Sequence, residues 1–126
     1  MTAQVVIAKP NKLDWRRSKE YGELKWKLLV DSTITNTSDI SVGVLKIKPN
    51  HSLALHSHSP KELYIIKTGK GLLLKPEKNE IIKTGDVVFI SENAPHGVRN
   101  IGKNSLIIYW IFQTDCWEEV KYNFQT

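Results

Sequence analysis

The stretch His56-Ser57-His58-Ser59-Pro60-Lys61-Glu62-Leu63-Tyr64 gathers two imidazoles, a carboxylate and a phenol in a chain that has four histidines in all. These groups share one chemistry: ligation of a divalent cation beside a phenol that can exchange a proton. Alternate residues of an extended strand face the same way, and His56, His58, Glu62 and Tyr64 are all even-numbered, so the simplest trace aims all four at one side. The Ser59-Pro60-Lys61 break can reset that alternation. If the shared side is the interior, a carboxylate and two imidazoles converge there only when something offsets their desolvation, and a divalent ion does so. A further ligand is then required, and His96, in the Asn93-Ala94-Pro95-His96-Gly97 turn, is the obvious supplier. His-x-His alone is common on exposed strands. Followed by Glu62, a strand, a glycine turn, another strand and a Pro-His turn, it reads as a metal site. His51, odd-numbered and just after Pro49-Asn50, reads as a surface loop residue.

The elements that must position these side chains are short and extended. Lys25 to Val30, Ser41 to Lys48, Glu62 to Lys67, Gly71 to Lys75, Asp86 to Ile90 and Leu106 to Phe112 are rich in β-branched and aromatic residues. Turn-forming stretches separate them: Pro49-Asn50, Thr68-Gly69, Pro76 to Asn79, Thr84-Gly85, Glu92 to Pro95 and Asn100 to Asn104. Closely spaced strands of this kind predict an all-β sandwich or barrel. One short helix is expected within Leu13 to Tyr21. The tail from Cys116 carries Trp117, Val120, Tyr122 and Phe124, is too apolar to stay loose, and is expected to pack back on the body.

At 126 residues the chain fits a single domain, residues 1–126. The apolar run Val5 to Ala8 has no basic segment before it, and Leu106 to Phe112 is far short of a membrane span, so neither a secretory signal nor a membrane anchor is read and a cytoplasmic protein is expected. The lone cysteine, Cys116, has no partner for an internal disulfide. The formal charge of +5 comes from lysines scattered singly along the chain, which reads as the wet face of strands and not as a nucleic-acid track.

Those residues also carry a family resemblance. Asn50, His56, His58, Glu62 and Gly69 are similar to the first signature motif of the cupin superfamily, and Gly85, Ser91, Asn93, His96 and Asn100 to the second. Asn50 and Asn93 stand where the motifs have glycine; asparagine is the commonest other residue with positive φ, so both turns can survive. The resemblance covers residues 41–112 and implies a small all-β barrel, or jelly roll, with a short N-terminal helical or irregular segment.

A narrower likeness follows from Tyr64, two residues after Glu62. Together with the small size, Trp26, the Tyr109-Trp110-Ile111-Phe112 strand and Tyr122, it resembles the small cupin dimethylsulfoniopropionate lyases of marine bacteria. That likeness implies one divalent transition metal (Mn, Fe, Ni, Co or Zn) on His56, His58, Glu62 and His96, Tyr64 as base, and Tyr122 as a second tyrosine at the site. It implies a small zwitterionic substrate, whose sulfonium would suit an aromatic box drawn from Trp26, Tyr122, Phe89 and Trp110. A phenol with an ordinary pKa of about 10 is a base near neutrality only if a cation lowers it, so an alkaline rate optimum is expected. Tyr64 has a plainer role open to it, filling the barrel with its hydroxyl bonded to Glu62. Two other functions stay open: an oxygen-using iron dioxygenase and a non-catalytic cupin that binds a small ligand. A homodimer is expected by analogy with small cupins, and no nucleic-acid or membrane partner.

Overall fold

The computed structural model describes residues 3–125. Among them the strands are β1 (Leu24–Val30), β2 (Ser41–Ile47), β3 (Ser52–Ser57), β4 (Glu62–Thr68), β5 (Lys70–Leu74), β6 (Glu80–Lys83), β7 (Val87–Ile90), β8 (His96–Asn100), β9 (Leu106–Phe112) and β10 (Asn123–Phe124). One antiparallel sheet runs β1-β2-β9-β4-β7 and the other β10-β3-β8-β5-β6. Their inner faces supply the core of a jelly roll. β9 makes the pattern plain: Leu106, Ile108, Trp110 and Phe112 are buried while Ile107, Tyr109 and Ile111 alternate on the other side.

No α-helix forms within Leu13 to Tyr21. Two single 3₁₀ turns, Pro10–Lys12 and Lys19–Tyr21, flank an extended stretch in which Arg16 bridges Trp26. The reason is an edge: β1 offers an unpaired row of main-chain groups, and the Arg16 and Trp26 amides each donate to the other's carbonyl at 2.7 and 2.9 Å.

The turns behave as their residues require. Asn50 and Asn93 adopt φ of 69° and 61°, the left-handed region that asparagine tolerates better than most side chains. Asn100, fully buried at the end of β8, donates through Nδ2 to the carbonyls of Ile47 and Asn104 and accepts from the Gly102 amide. It is a structural clasp, since a buried carbonyl stripped of its donor costs about 1–3 kcal/mol.

The pairing that matters most for function is β3 with β8, where a register irregularity between Leu53 and His56 sets His56 directly opposite His96. Gly97 permits it. A Cβ there would stand 2.7 Å from the Leu53 carbonyl and 2.9 Å from the Leu55 nitrogen, main-chain atoms that cannot rotate away. Gly97→Ala should therefore push β3 off β8. The expected result is a loss of about 1–3 kcal/mol in urea unfolding, with weakened metal binding because His56 and His96 part company. An alanine variant of wild-type stability and wild-type metal affinity would contradict this account.

Candidate metal centre

β3 and β4 lie in different sheets, and the chain crosses between them at Ser59-Pro60-Lys61. The two sheets face one another, so His56 at the end of β3, His58 just beyond it and Glu62 at the start of β4 all enter the same interior. His96 arrives from the start of β8. These four side chains are between 0% and 4% exposed. His51, by contrast, is an exposed loop residue.

Each imidazole is oriented from behind by main chain. Nδ1 of His56 lies 2.8 Å from the Ala54 carbonyl, Nδ1 of His58 2.9 Å from the Pro60 carbonyl, and Nδ1 of His96 2.8 Å from the Ala94 carbonyl. A carbonyl only accepts, so each Nδ1 carries a proton and each ring turns its Nε2 inward. The inward atoms meet further acceptors. Glu62 Oε1 lies 3.1 Å from His58 Nε2 and 3.2 Å from His96 Nε2, while His56 Nε2 is buried with no hydrogen-bond partner among the described residues.

With Nδ1 committed to the main chain, any lone pair on an inward Nε2 would repel the Glu62 oxygen unless a proton or a cation sits between them. At His56, which reaches no carboxylate, burial first, then His96, push the ring down to about 4, so near neutrality its Nε2 is an unprotonated donor atom. A divalent cation supplies the charge without protonating any ring. The ligand atoms of His56, His58 and His96 lie within 4.8 Å of one another, compact enough for one ion. This donor set fits a transition metal. The Ala54, Pro60 and Ala94 carbonyls behind the rings also fix the tautomer that a metal needs.

The phenols are close by. Tyr64, 2% exposed, pairs across the sheet with Trp110, and its ring centroid lies 5.9 Å from that of His96. Burial, followed by Glu62 and Tyr122, holds its hydroxyl well above a phenol's ordinary value, so only a nearby cation can make it a base. Tyr122 stacks on His56 at 4.8 Å between ring centroids. Trp26 and Trp110 line a cavity of about 30 Å³ together with Glu62, Tyr64 and Tyr122. Both indole N–H groups are buried without an acceptor among the described residues. Phe89 is not part of this grouping: it sits on β7 opposite Leu63, 63% exposed on the outer face of the sheet.

Three aromatic residues that the sequence did not assign to the site pack around it. Tyr21, in the Lys19–Tyr21 turn, lies 5.5 to 6.2 Å from the rings of Trp26, Trp117, Tyr122 and Phe124. Trp117 donates from Nε1 to the Tyr122 hydroxyl at 3.1 Å. Phe124 is on β10, which pairs with β3 opposite His56, so the apolar tail does return to the body. Asp31, buried after β1, accepts the Trp117 amide at 2.8 Å and anchors that tail.

Comparison with known proteins agrees with this fold. The chain is 29% identical over 104 residues to the dimethylsulfoniopropionate lyase DddW of Ruegeria pomeroyi, spanning 82% of this chain and 68% of that protein. It is 35% identical over 86 residues to an oxalate-binding protein of Thermotoga maritima, 68% of this chain and 71% of that one. The polyketide cyclase RemF of Streptomyces resistomycificus superposes with a TM-score of 0.82 at 18% identity, over all of this chain and 87% of its own, a likeness of fold. Residues 43–112, which hold the three histidines, Glu62 and the strands that carry them, match the Cupin domain family, and the chain belongs to it.

Proposed function

We propose that the protein is a metal-dependent lyase that cleaves dimethylsulfoniopropionate to acrylate and dimethyl sulfide, with His56, His58, His96 and Glu62 as the metal ligands and Tyr64 as the base. The observation that carries this reading is the buried phenol of Tyr64 beside the imidazole and carboxylate cluster, in a chain similar along most of its length to a protein named for that activity. A divalent ion (Mn, Fe, Ni, Co or Zn) held by the cluster would supply Lewis acidity toward a substrate carboxylate.

The chain's own residues do the rest. Tyr64, as phenolate, takes the proton α to the carboxylate; that electron pair forms the double bond to the β carbon, the carbon–sulfur bond breaks, and neutral dimethyl sulfide departs. The unpartnered indole N–H groups of Trp26 and Trp110 suit carboxylate oxygens, and the rings of Trp26 and Tyr122 suit a sulfonium. Closure by Tyr21, Trp117 and Tyr122 excludes water, which strengthens each of these interactions. The cavity of about 30 Å³ is smaller than the substrate, so the cap must open for entry.

A second reading, a non-catalytic cupin binding a small dianion, is favoured by the likeness to an oxalate-binding protein and by the small cavity. A second copy of the chain is the partner expected. β7 is an outermost strand, and Val87 and Phe89 on it, each 63% exposed, continue into Ile65 on β4 as an apolar face that a copy would cover.

Three outcomes are expected. Metal-stripped protein titrated with Mn or Zn should take up one ion per chain, and the His56→Ala, His96→Ala double variant should take up none while keeping its far-UV circular dichroism. Metal-loaded wild type given dimethylsulfoniopropionate should release dimethyl sulfide into the headspace, and Tyr64→Phe should cut that release by about 10²–10⁴-fold. Absence of the gas from wild type sinks the lyase reading, and tight oxalate binding unchanged in Tyr64→Phe would favour the second reading. In light scattering the wild type should run as a dimer and Phe89→Asp as a monomer; equal masses would remove that face as the interface.

A further inference from the structure

The outer side of the β1 edge carries a charge arrangement that the metal centre does not use. Arg16 bridges Trp26 in an antiparallel pair, which brings the next residue, Arg17, opposite Lys25; Lys25 in turn lies opposite Lys46 on β2. Three cations therefore stand in one row across three adjacent extended segments. Like charges directly opposite one another destabilise a sheet. The repulsion acts on Lys25, whose ammonium is held below its ordinary range by Arg17 first, then by partial desolvation, Lys48 and Lys46, against the opposing pull of Glu23.

This row forms part of the lining of a cleft of about 720 Å³, to which Lys19 and Lys48 add two more cations and Glu23 the one carboxylate. No histidine lines it. None of the five cations joins an ion pair among the described residues, where Lys61 and Lys75 do find carboxylates. The volume is that of a site for a metabolite-sized molecule. The hydroxyls of Ser18 and Ser105 lie on the same walls. An Arg fork flanked by lysine point charges matches phosphate oxygens well, and a monoanion would leave most of the charge uncompensated.

We propose that this cleft is a binding site for a small molecule bearing more than one phosphate, separate from the metal centre and independent of the lyase reading. Only a multivalent anion of this size relieves the row and fills the space together. The mild +5 charge of the chain is then partly concentrated at one site and not merely spread over wet strand faces.

The test uses the metal-loaded full chain with fructose 1,6-bisphosphate as probe, followed by calorimetry and by amide NMR shifts. Saturable one-site binding is expected, with shifts centred on residues 17–25 and 46–48, and a loss of at least about tenfold in affinity in Arg17→Ser, Lys25→Ser. That variant should be folded and at least as heat-stable as wild type in low salt without ligand, because it removes like-charge repulsion; Lys48→Ser provides an independent second variant. Four results would overturn the proposal: undiminished binding in both variants, shifts centred on the histidines, no binding beyond what sodium chloride of equal ionic strength abolishes, or tighter binding of single-stranded RNA than of the bisphosphate.

Discussion

The interior of this barrel is organised around a conflict: three inward Nε2 atoms and one carboxylate oxygen share a buried pocket, and without a proton or a cation between them they repel. The main chain creates the conflict by taking the Nδ1 protons of His56, His58 and His96 onto the carbonyls of Ala54, Pro60 and Ala94. Leaving a buried charge uncompensated costs on the order of several kcal/mol. Such an arrangement is tolerable as a receptacle for a cation and hard to rationalise as packing. The rest of the fold holds it in place. Gly97 keeps β3 close to β8, Asn93 turns the chain into β8, and Asn100 ties the far end of β8 to the Ile47 carbonyl.

Much of this centre was legible because metal ligation fixes residue types over short spans of sequence. His56, His58 and Glu62 fall within seven residues, and Asn50 and Asn93 betray left-handed turns by their side chains alone. His56, His58, Glu62 and Tyr64 share the interior as their even numbering suggests, but not by lying on one strand. One continuous strand does not run from His56 to Tyr64; two strands from facing sheets do, and both send their even residues to the common interior. The same parity argues against Phe89, odd-numbered and paired with Leu63, and it lies on the outer face. Short strands were harder. β8 begins in what reads as a Pro-His-Gly turn, and β3, β6 and β10 have little extended signal of their own, so they are strands because a neighbour pairs with them.

The cap was illegible for a different reason. Tyr21 and the residues from Trp117 to Phe124 lie about four fifths of the chain apart, and nothing local says that they meet over His56. Asp31 is a single acid after a strand, and its importance rests on a contact with an amide 86 positions away. Charge shows the same limit. Scattered lysines read one by one as solvated faces, and only the register of Arg16 with Trp26 and of Lys25 with Lys46 lines three cations up.

Closure explains both how strong the chemistry at such a centre can be and what governs access to it. With the aromatic rings seated, the dielectric around Glu62 and Tyr64 is low, so a bound cation would act on a substrate carboxylate and on the Tyr64 hydroxyl far more strongly than in water. The same seating leaves only about 30 Å³. The cap is held by ring contacts, the Trp117 to Tyr122 hydrogen bond, the Asp31 clasp and a two-residue pairing of β10 with β3, a set much weaker than the long ladders of β2, β9 and β4. Local opening is drawn from the least stable parts of a fold. The tail is therefore the part best placed to lift, and because Tyr122 stacks on His56 and Phe124 pairs with it, the spacing of the histidines then rests on the β3 to β8 pairing that Gly97 permits.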